Sequence, residues 1–299
     1  TKKYVECQFR KFYWDKVLFH EIVGFTSWTL FGQITTVARF QAVTILLNQM
    51  FNPIVVAAKA VADNISNQIN VFSNNFNVGL YPPIIKAYAA NDKKGMFSLL
   101  FRGSKITFFL MWVFALPLFL EMDTILQVWL KNPPPEAVLF TRLALIESLI
   151  MSISLPLTTA ARAPGKMKIY ELTLGCIQIS IFFISLIILK AGAPAYSVFV
   201  VAIIANLLMF AVRLVIVRWL IGLHLRLFLT QVLLPVFFVI LFSALPAFTI
   251  LWFFPKGFVY SWILIVASVI ISATSMYFIG LDKLERKKIR GVFLAKLKK

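Results

Sequence analysis

Five ionisable side chains stand inside apolar surroundings: Arg39, Lys59, Asp63, Arg142 and Glu147. A charge taken out of water must be paired, neutralised or placed in an aqueous cavity, so each is a candidate for function. Around Lys59 and Asp63 the chain adds Ser66, Asn67, Asn70, Asn74 and Asn77, which share one stripe at helical spacing, with Val56, Ile65, Ile69, Phe72 and Phe76 largely off it. Gln33, Thr36, Arg39 and Gln41 form a similar polar set just upstream. One or two amides glue helices together; a full stripe fits a hydrated wall facing a substrate. Lys59 and Asp63 can pair at i,i+4. Arg142 and Glu147 point about 140° apart at 100° per residue, so they need partners on other helices. Three embedded cations against two carboxylates leave a cationic surplus, which suits an anionic group such as a phosphate. A lone buried carboxylate such as Glu147 also suits a coupling site for H⁺ or Na⁺.

The elements that position these groups follow from composition. The chain has 299 residues, 60% hydrophobic and 14% charged, whereas soluble domains run about 45–50% apolar and about 25% charged. Apolar runs near 22–48, 54–80, 104–129, 136–160, 169–189, 196–219, 228–253 and 257–281 predict an all-α polytopic bundle of eight transmembrane helices. The second run is polar, and the distribution of basic residues decides that it crosses. With eight crossings, 24 of the 30 Lys and Arg residues collect on one side, including Lys86, Lys93, Lys94, Arg162, Lys166, Lys168 and the tail from Lys283 to Lys299. The excess of Lys and Arg marks the cytoplasmic side, so both termini are expected there. Dropping the second span would put the basic leader and the basic tail on opposite sides. The net charge of +18 is then a topology signal and makes no case for nucleic acid.

The division expected is a basic leader at 1–21, a six-helix lobe at 22–227, an apolar pair at 228–281 and a basic tail at 282–299. Gly79 and Pro82-Pro83 are expected to break the second helix, Pro117 and Pro156 to kink the third and fourth, and Ala90 to Arg102 to lie along the inner leaflet as a short interfacial helix. The last two spans carry no internal charge and cannot line a polar path. The connections on the side away from the charge are short, which leaves no room for a catalytic domain there. Cys7 and Cys176 are too few and too far apart for a disulfide framework or a metal cluster, and His20 and His224 are isolated beside basic segments. No catalytic residue, metal or cofactor is expected beyond the coupling ion.

Two stretches carry a resemblance. One is NQINVFSNNFNVGLYPPIIKAYAANDKKGMFSLLFRGSKITFFL, Asn67 to Leu110; the other is FTRLALIESLIMSISLPLTTAARAPGKMKIYE, Phe140 to Glu171. The first has a polar helix, a proline-bearing turn, a basic loop and a Phe-rich helix. The second ends in a TA-x-x-A/P-x-G-K-x-K-x-Y-like turn, Thr159 to Tyr170. Together they resemble the second half of O-antigen-type polysaccharide flippases of the multidrug/oligosaccharidyl-lipid/polysaccharide superfamily, a pattern that covers most of the chain. The resemblance implies a MATE-like carboxy-terminal lobe plus two accessory helices, with the amino-terminal lobe of the same protein preceding Thr1. It implies a transporter of the bacterial cytoplasmic membrane that flips a polyprenyl-pyrophosphate-linked oligosaccharide by alternating access, for lipopolysaccharide or other surface polysaccharide. Arg39, Lys59 and Arg142 would contact pyrophosphate or sugar, with Gln33, Asn67, Asn70 and Asn74 in the same cavity; Asp63 and Glu147 would couple ions. The competing readings are an organic-cation exporter of the same superfamily, an integral-membrane glycan-processing enzyme, and a complete 299-residue protein acting as a dimer.

Overall fold

The computed structural model describes residues 14–253, 257–283, 285–287 and 290. Cys7, most of the basic leader and the end of the tail lie outside them. Within them the chain forms eight long helices: α1 (Lys16–Met50), α2 (Pro53–Ala89), α3 (Lys93–Leu130), α4 (Ala137–Arg162), α5 (Lys168–Lys190), α6 (Ser197–Ile221), α7 (Leu225–Phe253) and α8 (Phe258–Gly280). No strand occurs among the described residues.

Seven of the eight are long and apolar enough to cross a membrane, and the exception is α2. Its 37 residues would extend about 55 Å at 1.5 Å per residue, more than the ~30 Å of a hydrocarbon core. It packs along both α3 and α4, which supplies the protein environment that a polar span requires in place of lipid. The chain is a polytopic helical membrane bundle.

Local chemistry sets the helix ends. Asp15 caps α1, accepting from the Val17 and Leu18 amides. Asn52 caps α2 by accepting from the Val55 amide, with Pro53 in the first turn where a missing N–H costs nothing. Gly222, at φ 75°, ends α6 in the left-handed conformation that glycine adopts without a Cβ penalty.

The expected break at Gly79 and Pro82-Pro83 does not occur, because α2 continues through both prolines to Ala89. Nor is there a separate interfacial helix over Ala90 to Arg102. Asp92 caps the Gly95 amide at 2.8 Å, and α3 runs unbroken from Lys93 into the bundle. The reason is burial: Met96, Leu100 and Phe101 join a core with Ile84, Tyr170 and Phe228 instead of facing a membrane surface. A bend in α3 does follow Pro117, where Glu121 leaves helical geometry at φ −110°, ψ 27°.

α4 sits at the centre, against α2, α3 and α6, while α1 packs mainly along α5 and only narrowly on α2. α7 and α8 pack on each other and on α3. Each holds a π turn, Leu229–Leu233 in α7 and Met276–Gly280 in α8, the latter closed by the Leu281 amide on the Met276 carbonyl at 3.0 Å. One end of the bundle, called the basic end below, carries the turns at 90–92, 163–167 and 222–224; the other carries those at 51–52, 131–136 and 191–196. At the basic end Lys105 is 2% exposed, and its Nζ reaches Glu285 Oε2 at 3.1 Å and Asp282 Oδ2 at 3.3 Å, with Arg102 Nε at 3.4 Å from Glu285 Oε1. This cluster ties the segment after α8 to α3.

Candidate functional site

Between α1, α2 and α4 lies a cavity of about 410 Å³. α1 supplies Phe40, Gln41 and Thr44, α2 supplies Lys59, Asp63, Ser66, Asn67, Asn70 and Asn74, and α4 supplies Glu147, Ser148, Met151 and Ser152. The α2 stripe divides its work. Asn67 and Asn74 are exposed. Asn70 Nδ2 donates to Ser148 Oγ at 3.0 Å, and Asn77 Oδ1 accepts from Thr159 Oγ1 at 3.3 Å, so these two also tie α2 to α4.

Arg39 and Glu147, 108 positions apart, meet: Arg39 Nη2 donates to Glu147 Oε1 at 2.9 Å. Both side chains are nearly enclosed, 4% and 11% exposed. Asn206 of α6 donates its Nδ2 to the same oxygen at 3.0 Å, and the guanidinium lies 3.9 Å from the centroid of the Phe40 ring. One carboxylate thus joins α1, α4 and α6 in a setting where each hydrogen bond to charge is strong. Lys59 donates to Asp63 one turn along α2. These two ion pairs share a small void beside the main cavity.

Arg142 stands elsewhere. Pointing away from Glu147 around α4, it turns to α3, where Nε donates to the Phe119 carbonyl and Nη2 to Asp123 Oδ2, both at 3.0 Å. It lines a different cavity. Gln33 is exposed and outside the α1–α2–α4 cavity lining. The cationic surplus expected from the sequence is therefore absent at this site, where two cations meet two carboxylates. The physical reason is Asp123, a carboxylate within the third apolar run, which draws Arg142 onto α3. Asn206 was missed as well, although a lone amide in the otherwise apolar stretch Val198 to Met209 was a signal available in the sequence. Ser148 and Ser152, at i,i+4 along the same helix as Glu147, were another.

Chemically, the cavity offers amide and hydroxyl groups for hydrogen bonding and two cations whose release depends on their carboxylates. A family model described as MatE matches residues 29–184, more than half of the chain and the segment containing every group of this cavity's lining. No curated protein and no solved structure matches the chain. The chain belongs to the MatE family, and it is a membrane transporter of the multidrug/oligosaccharidyl-lipid/polysaccharide superfamily.

Proposed function

We propose that this transporter moves a polyprenyl-pyrophosphate-linked oligosaccharide outward across the bacterial cytoplasmic membrane, with the basic end inside. The observation that carries the reading is the amide and hydroxyl wall formed by Asn67, Asn70, Asn74, Ser148 and Ser152. Sugar hydroxyls both donate and accept, as do these side chains, so such a wall accommodates a glycan without a fixed charge pattern. Arg39 and Lys59 are the groups for the pyrophosphate. Each is held by a carboxylate, so phosphate binding requires Glu147 and Asp63 to give up their cations. A proton or Na⁺ arriving on those carboxylates frees the cations, and by linkage the ion and the anion then favour the same state. A second six-helix lobe of the same protein would close the cavity on the exposed side of Asn67 and Asn74.

One observation favours a second reading, export of organic cations: the site has as many carboxylates as cations, so a cationic substrate could take Asp63 and Glu147 from Lys59 and Arg39. A single experiment separates the two. The full-length gene is expressed in strains lacking either a polysaccharide flippase or their drug exporters. Restored surface polysaccharide, abolished by Arg39→Gln with Lys59→Gln in protein that still reaches the membrane, is the expected result. Export that survives this double substitution, or resistance to organic cations without restored polysaccharide, overturns the proposal.

A further inference from the structure

A second cavity, about 780 Å³, lies between α3, α4, α7 and α8, on a different face of α4 from the first. It is within the usual size of ligand pockets, about 300–1,000 Å³. Its polar part is built from Glu121, Asp123, Thr124 and Arg142, and its apolar part includes Leu251 and Leu264. It runs on into an apolar groove of about 580 Å³ along α8, with Phe258, Ile263 and Ala267 common to both. A charged chamber continuous with an apolar groove on a membrane-embedded surface has the outline of an amphiphile.

The charges specify the head. Glu121 is 9% exposed and sits at the bend in α3; Thr124 Oγ1 donates to its Oε2 at 2.8 Å and lies 3.1 Å from Ser261 Oγ of α8. Among the described residues no cation stands within 4 Å of Glu121. A buried carboxylate held by a hydroxyl gains further from a positive charge, so a ligand bringing one is favoured. Arg142 engages Asp123 and the Phe119 carbonyl with two of its five donors, leaving the others for an anion. The cavity therefore asks for a cation and an anion in one head, with a net excess of positive demand. An anionic head such as phosphatidylglycerol meets Arg142 alone and opposes two carboxylates. A quaternary ammonium cannot donate hydrogen bonds, whereas a primary ammonium has three to give.

We propose that this cavity binds a phospholipid of the phosphatidylethanolamine type, its ammonium on Glu121, its phosphate on Arg142 and an acyl chain in the groove of α8. The site is separate from the transport cavity and does not rest on the identity of the transported substrate.

The test is native mass spectrometry of the full chain purified in detergent, titrated with phosphatidylethanolamine, phosphatidylcholine and phosphatidylglycerol of identical acyl chains. The unsubstituted protein is expected to retain phosphatidylethanolamine about tenfold better than either of the others, a margin of about 1.4 kcal/mol. Glu121→Gln, which keeps an oxygen for Thr124, is expected to erase that preference while leaving the weaker lipids unchanged. Ala267→Phe, which fills the junction with the groove, is expected to lower retention of all three. Equal retention of the three lipids by the unsubstituted chain, a preference for phosphatidylglycerol, or full selectivity in Glu121→Gln overturns the proposal.

Discussion

Replacing Glu147 by Gln removes the charge that Arg39 and Asn206 both address. Arg39 would then sit 4% exposed with its ion partner gone, and its Nε already lacks a hydrogen-bond partner. Breaking a buried pair by removing one partner costs about 3–5 kcal/mol, most of it the penalty of the stranded charge. Glu147 borders the cavity, so the lower end applies, about 3 kcal/mol. Replacing both groups, Arg39→Met with Glu147→Gln, strands nothing and should cost about 1 kcal/mol or less. A double-mutant cycle in purified protein would therefore return a coupling of about 2 kcal/mol or more. At roughly 2 °C per kcal/mol for a chain of this size, Glu147→Gln lowers the melting temperature by about 6 °C and the double variant restores most of it. Raising the salt from low to high should leave the shift intact, because a buried pair is weakly screened. Additive single effects, or a loss under about 1 °C in Glu147→Gln, would refute the burial reasoning.

Lys105→Met strips the cation from a cluster in which Lys105 is 2% and Glu285 7% exposed; a loss of about 3 kcal/mol and faster trypsin cleavage at Lys283 and Arg286, in the segment that follows α8, are expected. Gly280→Ala drives a methyl group against the Phe109 ring in a buried contact, so it should cost about 1–3 kcal/mol, read as a lowered melting temperature. Asn70→Ala and Ser73→Ala each lose one hydrogen bond, to Ser148 and to the Thr107 carbonyl, worth about 1 kcal/mol. Their melting temperatures should fall alike, yet only Asn70 lines the transport cavity, so only Asn70→Ala should slow transport; equal transport defects would count against the cavity wall.

What the sequence made legible was whatever a single helix determines. Run length and the charge distribution gave eight helices, including the polar one that hydropathy alone omits. The periodicity of α2 placed Lys59 against Asp63, and the angle between Arg142 and Glu147 already required partners on separate helices. Which partners they were could not be read, since Arg39 meets Glu147 across 108 positions and Asn206 arrives from a third helix. Breaks were over-read for a related reason. Pro82 and Pro83 remove donors from α2, but neighbouring helices hold its course, and the apolar residues at 96–101 find a core that local amphipathicity cannot see.

The π turn in α7 sets an angular phase. A π turn holds one residue more than an α turn, and one residue is about 100° of rotation. Phe228 and Val232 accordingly serve the core at the basic end, while Val236 and Val239 serve the other core with Phe108 and Phe109. Further along, Ser243 Oγ accepts from Trp112 Nε1 at 2.8 Å. Deleting the exposed Thr230 would let the turn relax to α geometry with the later side chains near their present phase, whereas deleting the exposed Phe237 from the regular helix beyond it would swing the rest by about 100° and carry Ser243 off Trp112. For this helix the sensitive quantity is where a residue is lost, because the π turn can give one up and the α turns after it cannot.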